Sequence, residues 1–299
     1  MAADRTEQKD IVDAPLVRRL LAGQFPQWAD LPLEAVESAG TDNALFRLGD
    51  DKVVRVPRVD WAAEQPEKEQ RWLPTLAPHL PVTVPVPLAL GTPSDGYPWN
   101  WTICPWLPGE NATIDRIGDP GRFATDLGRF VAALHRIDPT GGPPSGVEGS
   151  RGVPLAMREG STREAIASLA GVVDAGAVIA AWDAALEVPS WESPPSWLHG
   201  DLQSGNLLVE GGRLTGVIDF GLLGVGDPAV DLIVAWSLLP AGTRAAFREV
   251  VEVDDATWAR GRGWALSIGI MALAAYLRSN PVLAGISRTA IDEVLADQA

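Results

Sequence analysis

The chain has 299 residues, 46% of them hydrophobic and 21% charged, an ordinary composition for a globular protein with room for two lobes. Its net charge of −15 disfavours a nucleic-acid role, because such a surface would repel a phosphate backbone. Cys104 is the single cysteine, so an intrachain disulfide is excluded, and with three histidines a structural zinc site is not expected.

The sequence carries no pattern typical of export or membrane insertion. Its first ten residues are polar and lack the apolar core of a signal peptide. The most apolar stretch, 264–277, covers about 14 residues, too few to span a bilayer. We therefore expect a cytoplasmic protein with no membrane partner. The acidic surface would favour a cationic ligand, although acidity for solubility alone is an equally good interpretation.

The N-terminal part predicts a small sheet. Residues 34–58 contain three β-prone runs separated by turn residues at 40–43 and 49–51. A helix is predicted over 65–76. Two further strands are expected, an edge strand within the proline-punctuated stretch 81–90 and a last strand at 101–104.

From Asp119 onward the pattern becomes helical. Apolar residues recur at helical spacing from Phe123 to Leu134, just before His135. The segment 140–150 is rich in Gly, Pro and Ser, which predicts a flexible loop. Further helices are predicted over 161–170, 175–186, 230–248, 255–278 and 286–297.

Residues 198–221 carry the most specific pattern. Apolar runs at 207–209 and 214–218 flank Glu-Gly-Gly-Arg, which predicts a β-hairpin. If Val209 pairs with Leu214, Asn206 and Asp219 lie at the open end of the hairpin, where their oxygens could hold Mg²⁺. Asp201, five residues before Asn206, could then orient a hydroxyl. This set is the catalytic half of a phosphoryl-transfer site.

Three motifs in this order form a specific combination. They are His199-Gly200-Asp201 with Asn206, Val217-Ile218-Asp219-Phe220-Gly221, and Gly226-Asp227-Pro228-Ala229-Val230-Asp231-Leu232. The combination resembles the catalytic and metal-binding motifs of the aminoglycoside phosphotransferase family. That family belongs to the kinase-like small-molecule phosphotransferases, alongside choline kinases.

The resemblance implies an α+β, bilobal protein-kinase-like fold. It predicts a small β-rich N-terminal nucleotide-binding lobe over 1–104, a connector at 105–108, and a larger, mostly helical catalytic and substrate lobe over 109–299. It also implies an enzyme that transfers the γ-phosphoryl group of ATP or GTP, with Mg²⁺, to a small-molecule hydroxyl.

Roles for individual residues follow from the matching motif positions. Asp201 is expected to be catalytic, and Asn206 and Asp219 to hold Mg²⁺. His199 is expected to brace the loop. Asp227 and Asp231 would tie the metal loop to the following helix, with a direct substrate contact from Asp227 left open.

The nucleotide half of the site is predicted in the N-terminal lobe. The family's first hairpin turn, here with Gly40 and Thr41, would cover the phosphates. Arg55 stands where a lysine is commoner, and it neutralises phosphate with a bidentate fork. We expect its partner to be Glu69, or failing that Glu67. Connector residues would bind the base: Cys104, Trp106 and Leu107. Because Pro105 lacks an N–H, the usable amide donor would be near Trp106 or Leu107.

The acceptor is the least determined part of the prediction. An aminoglycoside-like antibiotic is expected, with a macrolide, a sugar, an amino alcohol or another metabolite as alternatives. A catalytically silent nucleotide-binding module is a further alternative. Carboxylates that could form the acceptor wall occur throughout the C-terminal part: Asp174, Asp183, Glu187, Glu252, Asp254, Asp255, Asp292 and Glu293.

Overall fold

The computed structural model describes residues 12–94, 96–145 and 151–297. These residues form two compact units. The first comprises the described residues within Met1–Pro78, Thr83–Pro108 and Val217–Gly221, and the second those within His79–Val82, Gly109–Gly216 and Leu222–Ala299. Across this described part of the chain, no helix has both the length and the apolar character needed to cross a membrane.

The first unit is built on an antiparallel sheet of five strands, in the order β1-β2-β3-β5-β4. Its elements in chain order are α1 (Ala14–Gln24), β1 (Leu33–Val36), β2 (Asn43–Leu48), β3 (Lys52–Pro57), α2 (Gln65–Leu76), β4 (Ala89–Gly91) and β5 (Trp101–Pro105). Helix α1 was not predicted. Asp13 caps it by accepting a hydrogen bond from the Leu16 N–H, and its buried face packs with residues of the sheet in one apolar cluster.

The second unit is mainly helical. Its elements are β6 (Glu110–Asn111), α3 (Pro120–His135), α4 (Glu159–Ser168), α5 (Ala175–Leu186), β7 (Ser196–Leu198), β8 (Leu207–Glu210), β9 (Arg213–Val217, its last residue in the first unit), β10 (Gly224–Gly226), α6 (Val234–Ser237), α7 (Arg244–Val251), α8 (Asp255–Tyr276) and α9 (Pro281–Ala296). Strands β6, β8 and β9 form one small sheet and β7 pairs with β10. The predicted hairpin is thus present. Gly211 and Gly212, both with positive φ, make its turn.

Two predicted helices differ from the structure. Residues 230–248 do not form one helix. A 3₁₀ segment, α6 and α7 replace it, because Pro240 cannot continue a helix. The last helix begins at Pro281, five residues earlier than predicted, with Asn280 as its cap. The edge strand predicted within 81–90 is confirmed as β4, which lies at the edge of the sheet and begins at Ala89, so the residues before it are the approach to the strand. The predicted flexible loop is described as far as Ser145, whereas its residues 146–150 lie outside the described part.

Candidate active site

Arg55 is the charged centre of the first unit. It lies on β3, in the middle of the sheet, and only 9% of it is exposed. Its Nη1 lies 2.5 Å from Glu69 Oε2, and its Nη2 lies 2.7 Å from Asp219 Oδ1. The predicted Arg55–Glu69 ion pair is therefore confirmed. The second partner, Asp219, is the residue predicted to hold Mg²⁺.

The two carboxylates keep the buried guanidinium charged. Burial alone favours neutral arginine, but the charges of Glu69 and Asp219 raise the pKa of Arg55 above its ordinary value. Glu69 is 1% exposed, whereas the Asp219 side chain is 40% exposed. One carboxylate therefore fixes the arginine inside the sheet, and the other stays open to solvent.

Local backbone geometry holds Asp219 in this position. Its φ is +63°, in the left-handed region that aspartate tolerates better than most residues. Phe220 is fully buried beside it. A Cβ on Gly221 would lie 2.5 Å from the end of the Gln65 side chain, which would have to move to make room for it. The Asp-Phe-Gly run is therefore an anchored segment of the first unit.

The predicted phosphate-covering turn is hydrogen-bonded within itself. The Gly40 N–H donates to Ser38 Oγ at 3.1 Å, and the Thr41 hydroxyl donates to the Asp42 carboxylate at 3.0 Å. The turn joins β1 and β2, as predicted. A phosphate contact from Gly40 or Thr41 stays a prediction.

In the connector, one of the two predicted amide donors is already in use. The Trp106 N–H donates to the Asp51 carbonyl at 2.8 Å, which leaves Leu107 as the remaining predicted donor. The Trp106 ring lies 4.1 Å below the Arg47 guanidinium. Cys104, the residue before the end of β5, is fully buried beside Arg55, and burial raises the pKa of its thiol to about 11.

The Cys104 thiol should resist alkylation in the folded protein. At pH 8 a pKa of about 11 leaves roughly one thiolate in a thousand, and only the thiolate is nucleophilic. Labelling by iodoacetamide, followed by intact mass, should be at least about 100-fold slower than for free glutathione. The rate should rise with pH as pH 11 is approached and should match that of an exposed thiol after denaturation. Labelling at the glutathione rate would contradict this environment.

In the second unit, Asp231 holds the loop that carries Asp201. Asp231 is fully buried and accepts hydrogen bonds from the backbone N–H of His199 at 2.9 Å and of Gly200 at 2.8 Å. Its Oδ2 also lies 3.2 Å from Nε2 of His135 at the end of α3. The carboxylate thus fixes two consecutive peptide groups directly before Asp201.

The two residues before Asp201 shape the loop in different ways. Gly200 has φ +83°, and a Cβ there would lie 2.8 Å from the Leu222 carbonyl oxygen, so the position requires glycine. The buried His199 ring accepts a hydrogen bond from the Asp201 N–H at its Nδ1, at 3.2 Å. His199 therefore acts on Asp201 through the backbone.

Asp201 and Asn206 lie together in this unit. Asp201 Oδ2 accepts hydrogen bonds from Asn206 Nδ2 and Gln203 Nε2, both at 3.0 Å. Asn206 Nδ2 also donates to the Asp201 carbonyl at 2.8 Å. The amide oxygen of Asn206 takes part in neither bond, so it can serve as a ligand to a cation. The five-residue spacing thus orients both side chains.

Two residues next to Asp201 were missed from the sequence. Gln203 hydrogen-bonds its carboxylate, and Arg151 Nη2 lies 3.7 Å from its Oδ1. Arg151 comes from a segment fifty residues away, and no local motif marks it. The side chain of Asp201 keeps 22% of its surface exposed, so a small molecule can approach it.

Asp227 is engaged in a structural role. It caps the 3₁₀ segment Pro228–Ile233 through the Ala229 N–H, and it forms a buried ion pair with Arg260 of α8 at 2.8 Å. Arg260 also donates to the hydroxyl of Thr257. Both carboxylate oxygens of Asp227 are used, which argues against the alternative of a direct substrate contact.

Most of the carboxylates that could form an acidic acceptor wall either cap helices or pair with arginines. Two of them are helix N-caps: Asp174 on α5 and Asp254 on α8. Four others form ion pairs with arginines: Asp183, Glu252, Asp255 and Glu293. The residues described here contain no group of three or more His, Cys, Asp or Glu side chains arranged to hold a metal.

Sequence comparison decides the family. The model of the phosphotransferase enzyme family, APH, matches residues 35–264, well over half of the chain. The chain belongs to this family. The resemblance inferred from the motifs is therefore confirmed, and the protein is an enzyme of the phosphotransferase class. A relative from Bacillus subtilis (strain 168), the uncharacterized protein YcbJ, is 26% identical over 196 residues. That match covers 62% of this chain and 58% of the relative.

Solved structures of the family show the same fold. The GDP and kanamycin complex of APH(2")-IIia has a TM-score of 0.76 at 19% identity and covers 95% of this chain and 99% of that one. The streptomycin–ATP complex of APH(2")-IIa gives 0.61 at 18%, covering 93% and 96%. Macrolide 2'-phosphotransferase MphH from Brachybacterium faecium gives 0.59 at 24%, covering 94% and 97%. The predicted kinase-like α+β fold, with an antiparallel N-terminal sheet and a helical C-terminal part, is confirmed.

Proposed function

We propose that this phosphotransferase moves the γ-phosphoryl group of a nucleoside triphosphate, ATP or GTP, to a hydroxyl of a small molecule. The observation that carries the proposal is the arrangement of Asp201 and Asn206. Asn206 donates two hydrogen bonds to Asp201. The loop that carries Asp201 is held by Asp231, which accepts hydrogen bonds from the two preceding backbone N–H groups. Phosphoryl transfer depends mainly on such positioning and on charge neutralisation.

Asp201 is the proposed acid–base residue. Its carboxylate accepts the proton of the acceptor hydroxyl as that oxygen attacks the γ-phosphorus. The new oxygen–phosphorus bond forms while the bond from the γ-phosphorus to the bridging oxygen breaks, and the nucleoside diphosphate leaves with that electron pair. Gln203 and Asn206 orient the carboxylate, and Arg151 supplies positive charge 3.7 Å from it.

Asn206 and Asp219 are the proposed magnesium ligands. The amide oxygen of Asn206 and the exposed carboxylate of Asp219 are hard oxygen ligands, and Mg²⁺ in nucleotide enzymes takes one or two such ligands beside phosphate oxygens. When bound, the ion would neutralise charge on the phosphates. Arg55, which its two carboxylates keep charged, adds a fixed cation for the nucleotide phosphates.

The proposal names the nucleotide and the acceptor by their chemical class. Related structures hold GDP, ATP or ADP, which supports nucleotide use without selecting between ATP and GTP. The related structures are of aminoglycoside and macrolide phosphotransferases, so a hydroxylated antibiotic is the first acceptor class to test. Other hydroxylated metabolites are the alternative. A cytoplasmic location, where nucleoside triphosphates are plentiful, belongs to the same proposal.

Replacing Asp219 with alanine should raise the Mg²⁺ or nucleotide requirement. Loss of a proposed metal ligand should increase the Mg²⁺ concentration for half-maximal rate by at least about 10-fold. The measurement is slow nucleotide hydrolysis, with water as the acceptor, over a Mg²⁺ titration. Asp60→Ala, an exposed carboxylate in the same unit, is the control. An unchanged Mg²⁺ dependence in Asp219→Ala would remove Asp219 from the metal site.

A further inference from the structure

The two carboxylate oxygens of Asp201 have different surroundings. Oδ2 accepts hydrogen bonds from the side-chain amides of Gln203 and Asn206, both at 3.0 Å. Oδ1 accepts no hydrogen bond from a described residue, and its charged neighbour is Arg151. Because two donors already occupy Oδ2, the lone pairs that can take up a hydroxyl proton are on Oδ1. The proton-accepting atom of the proposed base therefore lies beside Arg151.

Arg151 and Asp201 do not close into a direct hydrogen bond. Arg151 Nη2 lies 3.7 Å from Asp201 Oδ1, whereas the buried Arg260–Asp227 pair of the same unit has its atoms 2.8 Å apart. An oxygen atom about 2.7 Å from Oδ1 and about 2.9 Å from Nη2 can hydrogen-bond to both groups at once. The space beside the two groups thus suits an oxygen of a third group.

Solvent reaches both side chains at this place. The side chain of Arg151 is 17% exposed and that of Asp201 is 22% exposed. An acceptor that brings a hydroxyl group to Oδ1 therefore brings it next to the guanidinium as well. A guanidinium presents several N–H donors in one plane, a geometry that matches the oxygens of a phosphoryl group.

Backbone packing holds Arg151 in this position. The carbonyl of Gly152, the next residue, accepts a hydrogen bond from the Asp227 N–H at 2.9 Å. A Cβ on Gly152 would lie 2.4 Å from Leu198 Cδ2, so the chain here is tightly packed. A Cβ on Gly200 would lie 3.0 Å from both Cβ and Cγ of Arg151. The aliphatic part of Arg151 therefore lies against the residue that directly precedes Asp201.

We propose that Arg151 is a further catalytic residue, which donates hydrogen bonds to the phosphoryl group as this group passes to the acceptor oxygen at Asp201 Oδ1. The inference rests on the proposed function and deepens it, because it assigns a protein ligand to the group that is transferred. The negative charge of the transition state is spread over the phosphoryl oxygens, where a preorganised cation stabilises it.

Arg151 gains and loses no proton in this step. Asp201 Oδ1 takes the hydroxyl proton, and the acceptor oxygen forms the new bond to phosphorus. The bridging oxygen of the nucleotide leaves with the electron pair of the broken bond. Arg151 acts on the oxygens bonded to that phosphorus, so its effect belongs to kcat and is the same for every acceptor.

The first test needs no identified acceptor. Nucleotide hydrolysis, with water as the acceptor, is measured in wild type and in Arg151→Met across neutral and alkaline pH. The kcat of Arg151→Met should fall at least about 100-fold at every pH, and Arg151→Lys should recover part of the loss. Binding of Mg²⁺ and ADP or GDP, which lack the transferred group, should stay within about twofold of wild type.

Two outcomes of this test would overturn the inference. One is wild-type kcat in Arg151→Met. The other is a rate that returns to that of wild type at alkaline pH, because Arg151 would then serve only to keep Asp201 ionised. Arg262→Met is the control, since it removes a partly enclosed arginine of α8 with 27% of its side chain exposed and should keep kcat within about twofold.

The second test separates this inference from the proposed function. An acceptor panel of aminoglycosides, macrolides, sugars and amino alcohols is followed by mass spectrometry. A similar loss of kcat in Arg151→Met for each accepted substrate, with the KM of the acceptor retained, supports the inference. Transfer that Arg151→Met carries out at the wild-type rate overturns it while supporting the proposed function. No transfer and no Mg²⁺-dependent nucleotide hydrolysis by wild type would refute the proposed function, and the inference with it. Arg151→Lys keeps both tests valid if the methionine variant fails to fold.

Discussion

Asp201→Asn should lower kcat by about 100-fold or more with any accepted substrate, the scale expected for loss of a positioned general base. Asparagine keeps the shape of aspartate and the loop hydrogen bonds of its backbone, but it cannot take up the hydroxyl proton. Because Asp201 is only partly buried, with 22% of its side chain exposed, the variant should fold normally. The affinity for nucleotide should change little. The defect should therefore appear in kcat, and a single-turnover experiment should place it in the chemical step.

A matched carboxylate serves as the control for that experiment. Asp183→Asn changes an exposed aspartate of the same unit, on α5, whose partner is Arg163. It should leave kcat within about twofold, because exposed ion pairs contribute little. Wild-type turnover in Asp201→Asn would remove Asp201 from the mechanism. A similar loss in both variants would point to a general effect of charge.

Asp231→Ala should be the most destabilising of these substitutions. It leaves the N–H groups of His199 and Gly200 buried without an acceptor, and it removes the partner of His135. Each orphaned buried donor costs about 1–3 kcal/mol, so the free energy of unfolding should fall by roughly 3–5 kcal/mol. Denaturant unfolding followed by tryptophan fluorescence measures this change. In residual folded protein, kcat should also fall, because the loop before Asp201 loses its anchor.

A substitution of Asp183 is also the control for Asp231→Ala. Asp183→Ala removes an exposed carboxylate and should change the free energy of unfolding by less than about 1 kcal/mol. Asp231→Asn should fall between the two, since an amide oxygen can still accept from one of the backbone donors. A loss below about 1 kcal/mol in Asp231→Ala would show that the two peptide groups find other partners.

Local patterns predicted the parts of the site that neighbouring residues build. The hairpin of β8 and β9 was predicted because Gly211 and Gly212 supply the positive φ angles of its turn. The Arg55–Glu69 pair was predicted from a strand followed by a helix at the family spacing. In both cases the residues that make the contact lie close together in the sequence, so their spacing predicts the contact.

Contacts between distant segments escaped prediction. Arg151 contacts Asp201 from fifty residues away, and Arg158 of a 3₁₀ segment contacts Trp264 of α8 from about a hundred residues away, so no sequence periodicity predicts either contact. The Trp106 N–H donates to the Asp51 carbonyl, a contact that the positions of these two residues in the sequence do not predict. Most of the carboxylates offered as candidates for an acidic wall are helix caps or ion-pair partners, because composition does not say which arginine each one contacts. The helix break at Pro240, by contrast, follows from a residue that the sequence shows directly.

A direct assay of phosphoryl transfer tests the central claim. Purified wild-type protein and Asp201→Asn would be incubated with Mg²⁺ and ATP or GTP, together with the acceptor panel, and acceptor masses would be followed by mass spectrometry. We expect at least one acceptor to gain one phosphoryl group with wild type, and the yield to fall by about 100-fold with Asp201→Asn. Failure of the wild type to bind or hydrolyse either nucleotide in the presence of Mg²⁺ would contradict the proposed function.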